Sequence, residues 1–85
     1  MRRMRIDDPN PARSGTGTIL TRAWRLTPAE VRSVSALALG QSPRDIAARS
    51  AISVHTVRTQ LKRAMAKAGV HSQSALVASV YSLLR

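Results

Sequence analysis

Apolar residues recur at three- and four-residue spacing along most of the chain, which predicts a protein built from α-helices. In the longest such pattern they share one helix face: Val54, Val57, Leu61, Ala64, Met65 and Ala68. The opposite face is mostly polar and basic: His55, Arg58, Thr59, Lys62, Arg63 and Ala66. From Ser53 to Lys67 there are four positive charges and no carboxylate. The pattern therefore predicts an amphipathic helix over about 54–67 with a cationic outer face.

Two further helices are predicted upstream of this one. Thr27 to Glu30 has the sequence of a capping box, in which a Thr at the N-cap and a Glu three residues later satisfy each other's backbone N–H groups. This helix is expected to end at Gly40, a residue type that favours the left-handed conformation after a helix. Because capping accounts for Glu30 and it lacks a partner carboxylate, a catalytic role is not predicted.

A short helix begins after Ser42, a candidate N-cap that is followed by Pro43 at the first helical position. Ser53 is the candidate N-cap of the basic helix, and a turn of four residues is expected between the two. A short helix, a tight turn and a longer helix with a cationic face form a helix-turn-helix pattern. The second helix of such a pair fits the major groove of DNA.

The C-terminal helix, after the candidate N-cap Ser72, is too apolar for one buried stripe. The stripe of Leu76, Val80 and Leu83 is expected to face the core. The second stripe is predicted to form a homodimer contact: Val77, Tyr81 and Leu84. The alternative is a terminal helix that a compact core covers on all sides. A membrane-surface helix is disfavoured because the polar face has no Lys or Arg.

Residues 1–22 are predicted to be a disordered basic tail or linker, and residues 23–85 a single domain. The tail has turn and linker signals such as Ser14-Gly15-Thr16-Gly17 and a basic cluster: Arg2, Arg3 and Arg5. It is interpreted as a solvated tail, with a DNA-contacting arm as the alternative. A transit peptide is disfavoured by Asp7 and Asp8.

The composition of the chain indicates a negatively charged binding partner. The 85 residues carry a net charge of +10, which favours nucleic acid over a membrane surface as the partner. The absence of cysteine excludes disulfides and thiolate metal sites, and the two histidines, His55 and His71, are too far apart to suggest a metal site. No cofactor, small-molecule ligand or enzymatic residue constellation is predicted. No stretch has the length of a membrane span, and the expected location is the cytoplasm, on the nucleoid.

Several short segments together resemble the LuxR-type (GerE) DNA-binding domain over residues 24 to about 80. They are LTPAE at 26–30, Gly40, SPRDIA at 42–47, IS.HTVRTQL at 52–61 and K.GV.S at 67–72. The resemblance implies an all-α, four-helix bundle in which the second and third helices form the helix-turn-helix. It also implies that the third helix enters the major groove and that the fourth commonly makes a homodimer contact.

Position by position, the resemblance places Thr56 near a phosphate, and it places Arg58, Thr59 and Lys62 at outward positions that meet bases and backbone. The candidate DNA-binding residues are therefore Ser53, His55, Thr56, Arg58, Thr59, Lys62 and Arg63. The chain departs from the family pattern at Arg32, Ser33, Ala36, Gln60 and Ala68. Smaller residues at 33 and 36 suggest a thinner core.

The predicted function is sequence-specific transcription regulation. The protein is expected to bind double-stranded DNA as a homodimer, on an inverted repeat. Two alternatives stay open: a protein-interaction module that docks on RNA polymerase or heterodimerises with other regulators of the family, and non-specific DNA coating. Most similar proteins carry an N-terminal sensor domain, which is not recognisable in this sequence. The resemblance thus points to a stand-alone effector domain or to the tail of a longer regulator.

Overall fold

The computed structural model describes residues 15–85, and within this range the chain forms five α-helices and no strand. The helices are α1 Gly15–Trp24, α2 Pro28–Ala38, α3 Pro43–Ser50, α4 Val54–Ala68 and α5 Gln73–Leu84. Helix α2 lies at the centre and packs against each of the other four. The all-α class and the helix-turn-helix pair, α3 and α4, are confirmed, while the predicted four helices become five.

The helix starts follow the capping chemistry that the sequence predicts. In each of α2 to α5 an N-cap side-chain oxygen accepts a hydrogen bond from the N–H of the third helical residue; the N-caps are Thr27, Ser42, Ser53 and Ser72. Glu30 closes the capping box of α2 by accepting from the Thr27 N–H at 3.0 Å. Asp45 does the same for Ser42 at 3.1 Å, which makes a second capping box that the sequence analysis did not include.

The ends of α2 and α4 use glycines in the left-handed conformation. Gly40 has φ +97°, its N–H donates to the Leu37 carbonyl at 3.0 Å, and the Gln41 N–H donates to Ala36 at 3.1 Å. This is the hydrogen-bond pattern of a Schellman motif. Gly69, with φ +76°, ends α4 in the same region of backbone space. The predicted end of α2 at Gly40 is therefore confirmed.

The turn between α3 and α4 contains three residues, Ala51 to Ser53, instead of the predicted four. Ala51 itself takes the left-handed conformation, with φ +56° and ψ +41°. Its neighbour Ile52 donates its N–H to the Ala47 carbonyl at 3.1 Å. The left-handed conformation of Ala51 ends α3, and α4 begins after Ser53, as the sequence predicts.

The core is aliphatic and takes side chains from every helix and from Leu26. The buried apolar residues are Leu20, Leu26, Val31, Val34, Leu37, Ile46, Ala47, Val57, Leu61, Ala64, Leu76 and Val80. On α5 the predicted core stripe is confirmed, because Leu76 and Val80 are fully buried and Leu83 is half-buried. Helix α5 is therefore not covered on all sides, since Tyr81 and Leu84 remain exposed.

Over residues 15–22, helix α1 corrects the prediction that residues 1–22 are a disordered tail. Leu20 is fully buried, and Trp24, one turn later on the same face, packs partly against the core. The Gly- and Thr-rich start of α1 has low helix propensity, which is why it resembled a linker. Packing of an apolar face outweighs that propensity here. The predictions for residues 1–14, including the basic cluster, fall outside the described residues.

Two departures from the family pattern meet inside the structure. The Ser33 side chain is buried on α2, and its hydroxyl donates to the Gln60 Oε1 of α4 at 2.6 Å. A buried hydroxyl without a partner would destabilise the fold, so Gln60 offsets the cost of a polar residue at position 33. The unusual residues at 33 and 60 therefore form one cross-helix contact.

Candidate nucleic-acid interface

Burial divides α4 into the two faces that its sequence predicts. Val57, Leu61 and Ala64 are buried against the core, and Val54, Met65 and Ala68 are partly buried beside them. The candidate DNA-binding side chains on the other face are solvent-exposed at His55, Thr56, Arg58, Lys62 and Arg63 and half-buried at Thr59. The buried face holds α4 against α2 and α3, so that its polar face points away from the protein.

The N-terminus of α4 offers hydrogen-bond donors at the start of the exposed face. The Ser53 hydroxyl accepts the Thr56 N–H at 3.0 Å, and the two hydroxyl oxygens of Ser53 and Thr56 lie 2.9 Å apart. Both residues are exposed, and the first turn of α4 contains no acidic residue. The positive end of the helix dipole is therefore not neutralised, which favours the binding of a phosphate there.

The positive charges of the outer face have no carboxylate near them. Glu30 and Asp45 are the only carboxylate side chains in residues 15–85, and both are engaged in capping boxes. Within the described range, the one ion pair joins Glu30 to Lys67. Arg58, Lys62 and Arg63 therefore present three unpaired cationic groups to solvent on one helix face.

Lys67 behaves differently from the other basic residues of α4. Its Nζ lies 2.6 Å from Glu30 Oε1 and also donates to the Arg25 carbonyl at 3.3 Å. The lysine therefore ties the last turn of α4 to the first turn of α2. In the sequence, Lys67 belongs to the cationic run of the helix, and its separation of 37 residues from Glu30 gives no indication of the ion pair.

The Glu30 carboxylate is held in its charged form. Burial raises its pKa, but the hydrogen bonds from Lys67 and from the Thr27 N–H, with the Lys67 charge, outweigh burial and lower the pKa below its ordinary value of 4.5. A carboxylate with a lowered pKa in the folded state stabilises the fold above about pH 4.5. That stability is lost as the pH falls through the folded-state pKa.

We expect Glu30→Gln to lower the free energy of unfolding by about 2 kcal/mol at neutral pH, because it leaves Lys67 without its counter-charge. The difference from the parent protein should shrink as the pH falls through the folded-state pKa of Glu30, where the parent loses the same interaction. Urea unfolding followed by circular dichroism at several pH values measures both effects. Asp45→Asn is the matched control, since Asp45 is an exposed capping carboxylate without a lysine partner. A pH-independent difference for Glu30→Gln would contradict the role assigned to the pair.

The candidate dimer residues lie on the outer side of α5. Tyr81 is 52% exposed and its hydroxyl donates to the Ala38 carbonyl of α2, while Leu84 is 39% exposed and Val77 is half-buried.

Neither histidine belongs to a group of potential metal ligands, and the described residues contain no group of three or more such side chains. No helix in this range has the length and apolarity needed to cross a membrane.

Comparison with known proteins gives one match. The model of the bacterial regulatory proteins of the luxR family (GerE) matches residues 25–80, which is more than half of the chain. The matched range includes α2, α3, α4 and most of α5, and it starts after α1. No curated protein and no solved structure gives a significant match.

Proposed function

The chain belongs to the luxR family of bacterial regulatory proteins, which are DNA-binding transcription regulators, and we propose that it recognises a specific operator through α4 in the major groove. The observation that carries the proposal is the outer face of α4. Its cationic groups are exposed and unpaired, while the opposite face of the same helix is buried in the core. A helix held in this way is presented to DNA without any rearrangement of the domain.

The proposal divides the candidate residues into two groups. Arg58 and Thr59 contact base edges, because a guanidinium and a hydroxyl in the middle of the candidate face can donate to acceptors in the groove. The other residues lie at the two ends of the face and contact phosphates: Ser53, His55, Thr56, Lys62 and Arg63. Phosphate contacts position the helix on the duplex, and base contacts select the sequence.

We expect Arg58→Ala to weaken binding to the selected operator by about 1–3 kcal/mol and to leave binding to random DNA nearly unchanged. Lys62→Ala should instead weaken both by a similar factor, because a phosphate contact carries no sequence information. Selection of the operator from a random library, followed by fluorescence anisotropy on operator and random duplexes, measures the two losses. Equal losses on both DNAs for Arg58→Ala would leave only non-specific coating. Retained regulation after Arg58→Glu with Lys62→Glu would favour the protein-interaction alternative.

The protein is further proposed to bind as a homodimer through α5, with Val77, Tyr81 and Leu84 at the contact. The exposure of Tyr81 and Leu84 supports this, since pairing about a two-fold axis buries an apolar patch without an open chain of contacts. Two copies of α4 would then meet successive major grooves about 34 Å apart, on an inverted repeat. One helix pair buries little area, so the dimer is expected to be weak without DNA.

Val77→Glu with Tyr81→Glu should remove cooperative binding to paired half-sites and leave binding to a single half-site nearly intact. The charged residues would face each other across the two-fold axis. Gel-shift titrations on DNA with one and two half-sites measure the cooperativity, and circular dichroism verifies folding. Ser82→Glu is the matched control, because Ser82 is exposed on the same helix outside the stripe. Unchanged cooperativity in a folded double variant would show that α5 is not the dimer contact.

A further inference from the structure

The surface of the domain has a groove of about 700 Å³, and no residue of α4 lines it. Its walls come from α1, α2, α3 and α5. Because none of its lining residues lies on α4, the groove is not filled by the helix that is proposed to enter the major groove of DNA. The DNA-binding proposal does not account for this surface.

The groove collects most of the large apolar surface that the domain leaves exposed. Within residues 15–85 four large apolar side chains are exposed, and three of them line the groove: Leu39, Tyr81 and Leu84. Leu39 is 79% exposed at the C-terminus of α2, so it contributes almost nothing to the core. An apolar patch concentrated in a concavity is typical of a surface that a partner covers.

Two cationic side chains and one buried hydroxyl group are among the polar groups that line the groove. Arg32 and Arg49 are exposed at the groove, and neither forms an ion pair within 4.0 Å in the described part of the chain. Asp45, one turn before Arg49 on α3, is bound to its own N-cap and offsets that charge only at a distance. The Ser35 hydroxyl oxygen is buried in the groove wall and has no hydrogen-bond partner among residues 15–85.

We infer that this groove binds a segment of another protein in which bulky apolar side chains stand next to Asp or Glu. The apolar side chains would cover Leu39 and Tyr81, and the carboxylates would pair with Arg32 and Arg49. An Arg–carboxylate pair is a strong, directional hydrogen-bonding contact, so it selects an acidic segment over a neutral one. The small area of the groove implies an affinity in the micromolar range or weaker.

The charges and the apolar side chains of the groove together argue against two other occupants, a second copy of the chain and nucleic acid. Within residues 15–85, a second copy of the chain has no free carboxylate side chain to offer, since Glu30 and Asp45 are both held in capping boxes. Nucleic acid would satisfy the arginines but leave the exposed apolar side chains uncovered. The groove shares Tyr81 and Leu84 with the proposed dimer contact, so the discriminating substitutions are placed at Arg32 and Leu39.

The test uses the full chain, labelled with ¹⁵N, and a short synthetic peptide with Leu and Phe at helical spacing and Glu between them. Titration at physiological salt should shift the amide resonances of Ser35, Leu39 and Arg49, and the same shifts should occur when a duplex with a single half-site is bound to α4. A peptide with Gln in place of every Glu should bind at least about fivefold more weakly. A peptide with Ser in place of every Leu and Phe should lose binding.

Substitutions in the protein separate the groove from general electrostatic attraction to a chain of charge +10. Leu39→Glu should weaken binding of the acidic peptide by about tenfold or more, because it places a negative charge among the apolar side chains of the groove, next to the negative charges of the peptide. Arg32→Gln should weaken it by about fivefold. Arg22→Gln is the matched control: it also removes one positive charge, but Arg22 is exposed on α1 and does not line the groove.

Four results would each overturn the inference. The first is a set of shifts confined to α4, and the second is equal weakening by Arg32→Gln and Arg22→Gln. The third is the absence of binding at millimolar peptide. The fourth is concentration-dependent shifts of the Ser35, Leu39 and Arg49 amides without peptide, which would identify a second copy as the occupant.

Discussion

The affinity of the protein for duplex DNA is expected to fall about 10²- to 10⁴-fold between roughly 50 and 200 mM salt. The exposed cationic face of α4 and the N-terminus of the helix are expected to give roughly four to eight phosphate contacts per monomer. Each contact releases a condensed counterion, so the slope of log affinity against log salt should lie between about −4 and −7. Fluorescence anisotropy across a salt series measures the slope directly.

Removing charge at two positions shows whether that slope originates on α4. Lys62→Gln with Arg63→Gln should make the slope less steep by about 2, because two phosphate contacts are lost. Arg85→Gln, at the end of α5, is the charge-matched control for one position and should leave the slope nearly unchanged. A flat salt response of the parent protein, or no binding to duplex DNA at low salt, would contradict the DNA-binding proposal.

The features that the sequence predicts well are those whose partners lie within one helical turn. Thr27 and Glu30, like Ser53 and Thr56, are three residues apart, so their hydrogen bonds follow from local chemistry alone. The two faces of α4 follow from the helical period in the same way. These local rules were sufficient for the boundaries of α4 and for the exposure of its candidate DNA-binding residues, although their contacts with DNA stay a prediction.

The features that the sequence did not predict depend on partners that are distant along the chain. The ion pair of Lys67 with Glu30 and the hydrogen bond of Ser33 with Gln60 both cross between α2 and α4. Capping explains Glu30, and the basic face of α4 explains Lys67. Since each residue has a sufficient local explanation, the sequence does not indicate that the two form a pair. The groove is also a product of packing, because its walls come from four helices.

Helix α1 was missed for a different reason. Its Gly and Thr residues favour a linker interpretation, and the resemblance to the family starts only after it. The signal that was present is the spacing of Leu20 and Trp24, which puts two large apolar side chains on one face. Two apolar positions in a short segment are a weak pattern, and only the packing of α1 against α2, α4 and α5 makes them decisive.

If α1 is part of the domain, Leu20→Ala should lower the free energy of unfolding by about 3 kcal/mol. Leu20 is fully buried, so the substitution removes its burial and leaves a cavity between α1 and the rest of the core. In a domain of this size the melting temperature should fall by more than about 10 °C. Urea and thermal unfolding followed by circular dichroism measure both quantities.

Ile19→Ala provides the control within the same helix. Ile19 is the neighbour of Leu20 but is 38% exposed, so its loss should cost less than about 1 kcal/mol. Both variants place Ala in α1, so the difference between them reports burial more than helix propensity. Equal, small effects of the two substitutions would mean that α1 adds little to the stability of the domain, as the tail interpretation of residues 1–22 predicts. A loss confined to Leu20→Ala would make α1 an integral part of the core that supports α4.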